Sequence, residues 1–386
     1  MGALKLVSLY TPFTSSQSCY CFSVQAVVFC AERMARVTLV RWFPSLTCVS
    51  LLVVTILAPS ASATAKKNKT AQQIEAQALL DKAATLTDIE AAGSQPFVYI
   101  ANANWTTNSK TTTGLFGVAW QTVDRYREQI SVRRFTQMEI VLKDTLYRTR
   151  NLESPPLLTE RWHGMFELHG LFKDWPRKPK IEASRPPKEL AGTANFTCVT
   201  ADTGIGVETV ERIACFDNPT GLPILSRTHY GDNVVTRTFS DYATLGEKHF
   251  PREITYSDSI GDHGELKSSR LEVFTAFADS TFQPAPGSKS EPWCAEPTFK
   301  NPLKDDAVFL FMQQQPIPFK GPDLDDAYAF VTVSAKGRAE KVFFVGKPSN
   351  FVENNMANRL YSAQFLIKSC GQQPIPYEMF VHLPVR

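Results

Sequence analysis

Hydrophobic and polar positions alternate with a period of two over much of the chain, most clearly from Gly114 to Arg150. Between Arg125 and Arg133, Tyr126, Glu128, Ile130 and Val132 interleave with Arg125, Arg127, Gln129, Ser131 and Arg133. That period places the first set on one face of a sheet and the second on the other. Phe116, Val118 and Trp120 make the same pattern just before it, and Met138, Ile140 and Leu142 just after. A Lys143–Asp144 turn and a further strand from Leu146 to Arg150 follow. Short strands at this spacing predict one continuous, curved antiparallel sheet with an apolar inside and a charged outside.

Upstream of the sheet, Lys66 to about Ala92 reads as a helix with Ile74, Ala78, Leu79, Ala83 and Ile89 mostly on one side, ended by Gly93 and Pro96. A strand from Phe97 to Ala103 leads into the alternating stretch. Residues 153–189 break the pattern with prolines at 155, 156, 176, 179, 186 and 187 and with Trp162, Phe166, Phe172 and Trp175 at irregular spacing. The prolines exclude a long helix, so short helices and loops are expected there, placed over one mouth of the sheet. Strands resume at 196–200, 209–216, 224–230, 234–242, 249–254 and 271–277, with Asp217-Asn218-Pro219-Thr220-Gly221 as a turn. The Pro/Gly/Ser stretch from Gln283 to Pro292 opens a linker over 286–321.

The last unit, residues 322–386, alternates from Tyr328 to Ala335, turns at Lys336–Gly337 and returns from Ala339 to Val345. Ser349 then caps a helix whose face is Val352, Met356, Leu360 and Ala363. A final strand runs from Ile375 to Val385. The expected class is therefore α+β, mainly antiparallel β, with a first domain over 66–285 and a small β-β-α-β domain at the end.

Composition changes the picture at the N-terminus. Arg36 and Arg41 precede the apolar run Leu46–Leu57, and Ala61-Ser62-Ala63 follows it. This is the order of a secretory signal, with cleavage expected after Ala63 and residues 1–63 dispensable for the fold. Met34 offers an internal start, and retention of the apolar run as a membrane anchor is the competing reading. Residues 1–63 carry four Lys/Arg and one acidic residue, the whole of the formal +3 charge. A neutral remainder has no overall attraction for nucleic acid or anionic lipid. Of eight cysteines, Cys198, Cys215, Cys294 and Cys370 lie beyond the signal. An even number in an exported chain predicts disulfides, with three connectivities open. Two strands around the loop between Cys198 and Cys215 would set those two opposite each other, leaving Cys294 with Cys370.

Catalytic chemistry has no visible seat. The histidines at 163, 169, 229, 249, 263 and 382 are scattered and complete no zinc spacing. No G-x-S-x-G elbow occurs, and Gly204-Ile205-Gly206 is followed by no helix start. Asp258, Asp262, His263 and Glu265 read as a hairpin turn with solvated charges. No metal, cofactor or enzymatic activity is expected.

The order helix, strands, irregular interruption, strands resembles the LolA/LolB-like lipoprotein-carrier fold over residues 71–285. The matching cues are Gly114-Leu115-Phe116-Gly117, Asp124-Arg125-Tyr126-Arg127, Phe239-Ser240-Asp241-Tyr242 and Phe250-Pro251-Arg252. The resemblance implies an unclosed β-barrel wrapped around helices, with a concave face that accepts acyl chains. Phe116, Val118, Trp120, Tyr126, Ile130, Met138 and Ile140 are the residues expected to line it. The final unit resembles the C-terminal domain of TonB-type energy transducers through its Lys336-Gly337-Arg338 turn, its helix and the approach Gly371-Gln372-Gln373-Pro374-Ile375-Pro376. That resemblance implies docking to an outer-membrane or other envelope partner, often by strand addition. A transducer needs a retained membrane helix and a long spacer, and this chain has a cleavable signal and a globular domain in their place. Docking is therefore expected, and energy transduction is not. The combined expectation is a periplasmic protein that holds a hydrophobic or acylated ligand. The alternative is a filled half-barrel that acts through protein contacts, as in LolA-fold anti-sigma-factor regulators.

Overall fold

The computed structural model describes residues 61–168, 171–172, 175, 180–182, 187–190, 195–205, 208–230, 233–300, 328–345 and 350–382. The proposed signal up to residue 60, His169, Gly206 and most of the linker lie outside the described residues.

Helix α1 (Ala61–Thr87) precedes five consecutive strands: β1 (Phe97–Thr107), β2 (Lys110–Thr122), β3 (Arg125–Val132), β4 (Phe135–Leu142) and β5 (Thr145–Arg150). Each is paired to the last by a tight turn, as the alternation predicts. Helix α2 (Leu157–Phe166) and the short β6 (Lys180–Glu182) occupy the irregular interruption. Six longer strands then follow: β7 (Phe196–Ile205), β8 (Glu208–Asp217), β9 (Pro223–Tyr230), β10 (Asn233–Leu245), β11 (Lys248–Asp258) and β12 (His263–Val273). With β13 (Lys289–Pro292) they make one antiparallel sheet of 13 strands, ordered β13-β5-β4-β3-β2-β1-β12-β11-β10-β9-β8-β7-β6. Pairing of β1 with β12 joins the two meanders, and β13 and β6 stay at opposite edges. The chain is α+β with an unclosed, half-barrel sheet and a small additional unit.

Register decides which expected positions face inward. Val132 pairs with Phe135 across the two-residue turn between β3 and β4, so both stand on one face. Parity then puts Val141, Glu139 and Gln137 opposite Tyr126, Glu128 and Ile130. Met138 and Ile140 fall opposite Gln129 and Arg127 on the other face, which corrects their expected place on the inner wall. Ile140 is nonetheless buried, because the turn Asp279–Phe282 lies against β3 and β4 from outside. There Arg125 stacks over the Phe282 ring at 5.0 Å.

Helix α1 buries Ala83 as expected, and Ile89 just after it, while Ile74 and Ala78 of the expected face are exposed. Its inward stripe is Ala76, Leu80, Ala83 and Thr87, whereas Ile74 is 67% exposed. Ala76 and Ala83, small residues on this face, let the helix approach the sheet closely. The helix ends at Thr87, whose hydroxyl returns to the Ala83 carbonyl at 2.8 Å, earlier than Ala92.

The linker stretch is partly built into the fold. Lys289–Pro292 pairs with β5, and β14 (Thr298–Lys300) joins β17 (Ile367–Cys370) and β18 (Gln373–Ile375) in a three-stranded sheet. The end unit is completed by β15 (Tyr328–Val333), β16 (Ala339–Phe344), α3 (Asn350–Ser362) and β19 (Tyr377–His382). Strand β19 pairs with β15, giving the order β16-β15-β19. The expected single strand from Ile375 is therefore two, β18 and β19, divided at Pro376. Proline has no donor for a ladder, which accounts for the break. Met356 and Leu360 of α3 pack with Ala329, Val331, Val333, Met379 and Val381 as a separate core.

Both disulfides form. Cys198 and Cys215 are directly paired on β7 and β8 with Cα atoms 4.0 Å apart, and Cys294 joins Cys370 across 5.7 Å. The second bridge ties the end of β13 to the C-terminal unit. Alkylation without reductant is expected to label none of these four thiols in intact-mass analysis. Two labels per chain would mean that one bridge is absent.

Candidate binding face of the half-barrel

Inward positions of β1, β2 and β3 form a mostly apolar surface. Phe97 stands opposite Trp120, Tyr99 opposite Val118 and Ala101 opposite Phe116. Trp120 in turn faces Tyr126, and Phe116 faces Ile130. Phe116, Val118, Trp120, Tyr126 and Ile130 are thus brought together, all between 0% and 4% exposed and in one cluster. Met138 and Ile140 are not part of this cluster.

Helix α2 covers that surface. Its Phe166 ring sits among Tyr99, Phe116 and Phe250, with centroids 5.0, 5.2 and 5.0 Å away. Close approach depends on two glycines of the sheet. A Cβ on Gly114 would lie 2.5 Å from the Trp162 ring, and one on Gly264 would lie 3.1 Å from Met165 Sδ. Trp162, Phe172 and Trp175, irregularly spaced in the sequence, are all buried on the inside. The interruption therefore enters the concavity as well as covering it.

Two polar tethers hold α2 in place. His163 is bonded at both ring nitrogens: Nδ1 to Glu128 Oε2 at 2.9 Å and Nε2 to Glu167 Oε1 at 3.1 Å. Burial by itself would lower its pKa, but Glu128 and Glu167 outweigh that and raise it well above 6.5. The imidazole is thus a charged donor to two carboxylates, with no lone pair left for base chemistry. Burial, with Glu167 and Glu128 adding to it, pushes Glu90 up to about 8, and burial also raises Glu160 to about 8. The second tether is Arg161 Nη1 to Asp262 Oδ2 at 2.7 Å, with the guanidinium 4.8 Å over the Trp105 ring. Asp262 also accepts from Trp105 Nε1 at 3.3 Å and is buried. It is not the solvated turn charge expected, because α2 brings an arginine onto it.

The tethers were only partly legible in the sequence. Glu128 was an acid on an otherwise apolar inward row, which signals a buried partner. His163 and Glu167 stand four apart, one turn of α2. Nothing local linked either to Glu128, 35 residues away.

The open β5 side is closed by the stretch after β13. Trp293 packs edge-on to Tyr126 at 5.9 Å, and its amide donates to the Asp144 carbonyl at 2.7 Å. Beside it, Arg148 binds Glu139 at 2.6 Å, Glu291 at 3.0 Å and Glu378 of β19 at 2.9 Å. Arg150 also reaches Glu378 at 2.6 Å and stacks over Phe330 at 5.5 Å. Burial, and then Arg148, lowers Lys368 to about 8. This charged joint fixes the C-terminal unit to the half-barrel and uses the Glu378 side of β19.

Among the described residues, no group of three or more His, Cys, Asp or Glu side chains is arranged to hold a metal ion. No described helix is long and apolar enough to cross a membrane. No family model matches the chain, and no curated protein matches it. Solved structures that overlap it include a LolA superfamily protein from Nitrosomonas europaea, at 13% identity and TM-score 0.37 over 54% of this chain and 97% of that one. A DUF1329 family protein from Desulfovibrio piger overlaps at 10% identity and TM-score 0.38, over 55% and 97%. MucB overlaps at 14% identity and TM-score 0.27, over 59% of this chain and 71% of its own. The fold class of this chain rests on its own strand order: an antiparallel half-barrel with two free edges, filled by a short helix.

Proposed function

We propose that this chain is a non-enzymatic, exported binding protein of the cell envelope whose half-barrel holds a hydrophobic or acylated guest. One observation carries the reading. The inner wall carries a large apolar cluster, and it is covered by a ten-residue helix rather than by strand pairing. A helix held by two polar tethers leaves at lower cost than a strand, which would lose its whole ladder. Guest binding exchanges the contacts of Phe166 and Trp162 for those of an acyl chain. Two disulfides support an oxidising compartment, as the signal-like residues 1–63 do. The C-terminal unit docks to an outer-membrane or other envelope partner through β16, whose outer edge has no neighbouring strand among the described residues.

Native mass spectrometry of the chain purified from its own envelope tests this. A discrete added mass that organic solvent strips and that matches a lipid is expected. A bare protein that also fails to take up a fluorescent fatty acid would sink the guest reading. The second reading, a filled half-barrel acting through protein contacts, is favoured by the packing of Phe116, Trp120 and Tyr126 against the interior. Trp120→Arg does not separate the two readings. Trp120 is buried and stacked on Phe97 at 5.6 Å, so a charge there unfolds the sheet before it reports on binding.

A further inference from the structure

We infer that the concave face carries a polar subsite, centred on Arg237, for the anionic head of an amphiphile. It rests on the hydrophobic-guest reading and adds the chemistry of the guest's head. One inward row crosses the sheet as Ala214, Ser226, Arg237, Tyr256, Gly264 and Trp105, each opposite the next. Alternation along β10 puts Arg237 on the same face as Phe239, a member of the interior cluster.

Arg237 differs from four other arginines of the half-barrel. Arg125, Arg148, Arg161 and Arg227 are each paired with a carboxylate: Asp279, Glu139, Asp262 and Glu189. Arg237 is partly buried, its Nε is shielded from solvent, and that atom has no hydrogen-bond acceptor. Ser226, directly across from it, is 7% exposed and brings a hydroxyl to the same inward row. The inward acid one position beyond Tyr256 is Asp258. Its carboxylate is committed to its own turn, accepting from the amides of Ile260 and Asp262 at 3.2 and 2.9 Å and from Tyr256 Oη at 3.1 Å.

A guanidinium with a shielded Nε beside a serine hydroxyl is matched by a carboxylate or phosphate, which accepts forked, charge-assisted hydrogen bonds. Arg212 and Thr228 lie opposite each other in the next inward row and add a second positive charge and another hydroxyl. The row on the other side is apolar, with Phe239 opposite Ile254 and Ile254 opposite Leu266. A polar row bordering an apolar one is the order in which an acyl chain presents its head and its tail.

The test is isothermal titration of the purified chain with oleate, oleyl phosphate and oleyl alcohol, each below its aggregation threshold. One or both anions are expected to bind roughly tenfold or more tightly than the alcohol, the value of one charge-assisted contact. The carboxylate and phosphate arms identify which head is taken. Arg237→Gln should remove that preference and leave alcohol binding unchanged, which also reports that the variant is folded. Arg237→Lys should keep part of it. Equal affinity for all three ligands, unaltered by Arg237→Gln, would overturn the subsite and leave the hydrophobic guest standing. Binding of none of them would overturn both.

Discussion

Arg148→Met is expected to destabilise the protein by about 3–5 kcal/mol, the cost of leaving a buried carboxylate without its cation. Arg148 is 5% exposed and is shared by Glu139, Glu291 and Glu378, which come from β4, β13 and β19. Removing it leaves three acids around an apolar side chain. Glu139 is the most exposed to the consequence, since burial alone would raise its pKa and Arg148 holds it below the ordinary value. A carboxyl with a lowered folded pKa contributes stability above its unfolded value, and that stability is lost as pH falls through the folded value. Without Arg148 the same group titrates higher, so the deficit of the variant should shrink on acidification. Urea denaturation near pH 7 and pH 4.5 measures both effects. A loss below about 1 kcal/mol at neutral pH, the scale of a surface pair, would show that the joint is not a buried network.

The second large effect concerns α2. His163→Phe is expected to cost about 3–5 kcal/mol locally, because Glu128 and Glu167 would face each other with the cation gone. In the unaltered protein the same contacts make closure pH-dependent, with a definite sign. A histidine whose folded pKa is raised contributes stability in full below 6.5, and loses it as pH rises through the higher folded value. Glu90 and Glu160 act in the same direction: they hold protons up to about 8, against an ordinary 4.5, so the native state is favoured less as pH rises through that window. The groups facing His163 are Glu128 on β3, Glu167 and Glu160 on the α2 segment and Glu90 after α1, all acidic. Glu139 lies further along the inner wall and is already held by Arg148. Amide exchange of residues 157–166 should therefore speed up between pH 7 and pH 9 by more than the intrinsic rate increase, while exchange in β2 and β3 keeps to the intrinsic rate. Protection of α2 that is flat across this range would remove His163 as the latch.

These two clusters mark where local pattern stops being sufficient. Strand positions in the stretch from Gly114 to Arg150 were readable because period-two alternation is a property of neighbouring residues. Tyr126, Glu128, Ile130 and Val132 face inward as read. Met138 and Ile140 were misplaced because the outer row of β4, with Met138, Ile140 and Leu142, is more apolar than its inner row. The inner row is Phe135, Gln137, Glu139 and Val141, so composition points to the wrong face. The two-residue turn after Val132 decides the inner one, and a second apolar layer around Phe282 covers the other side. In α1, Ile74 looked like a core residue by type alone, yet the face that packs on the sheet carries Ala76, Leu80, Ala83 and Thr87.

By itself, the sequence determined the class of the protein: an antiparallel sheet, interrupted once by a proline-rich insert and followed by a small β-β-α-β unit. It also favoured the Cys198–Cys215 pairing among three open connectivities, since the two residues flank one hairpin, and the structure forms that bridge. Only the tertiary structure decided that β1 pairs with β12, that the insert turns inward with Phe166 on the apolar wall, and that Arg148 locks the last unit to the first. It alone decided that Arg237 faces the concavity opposite Ser226, with its Nε shielded. The physical reason is range. Alternation, turns and caps are set by residues a few positions apart, whereas a salt bridge over 35 or 101 residues depends on which surfaces meet when the chain closes.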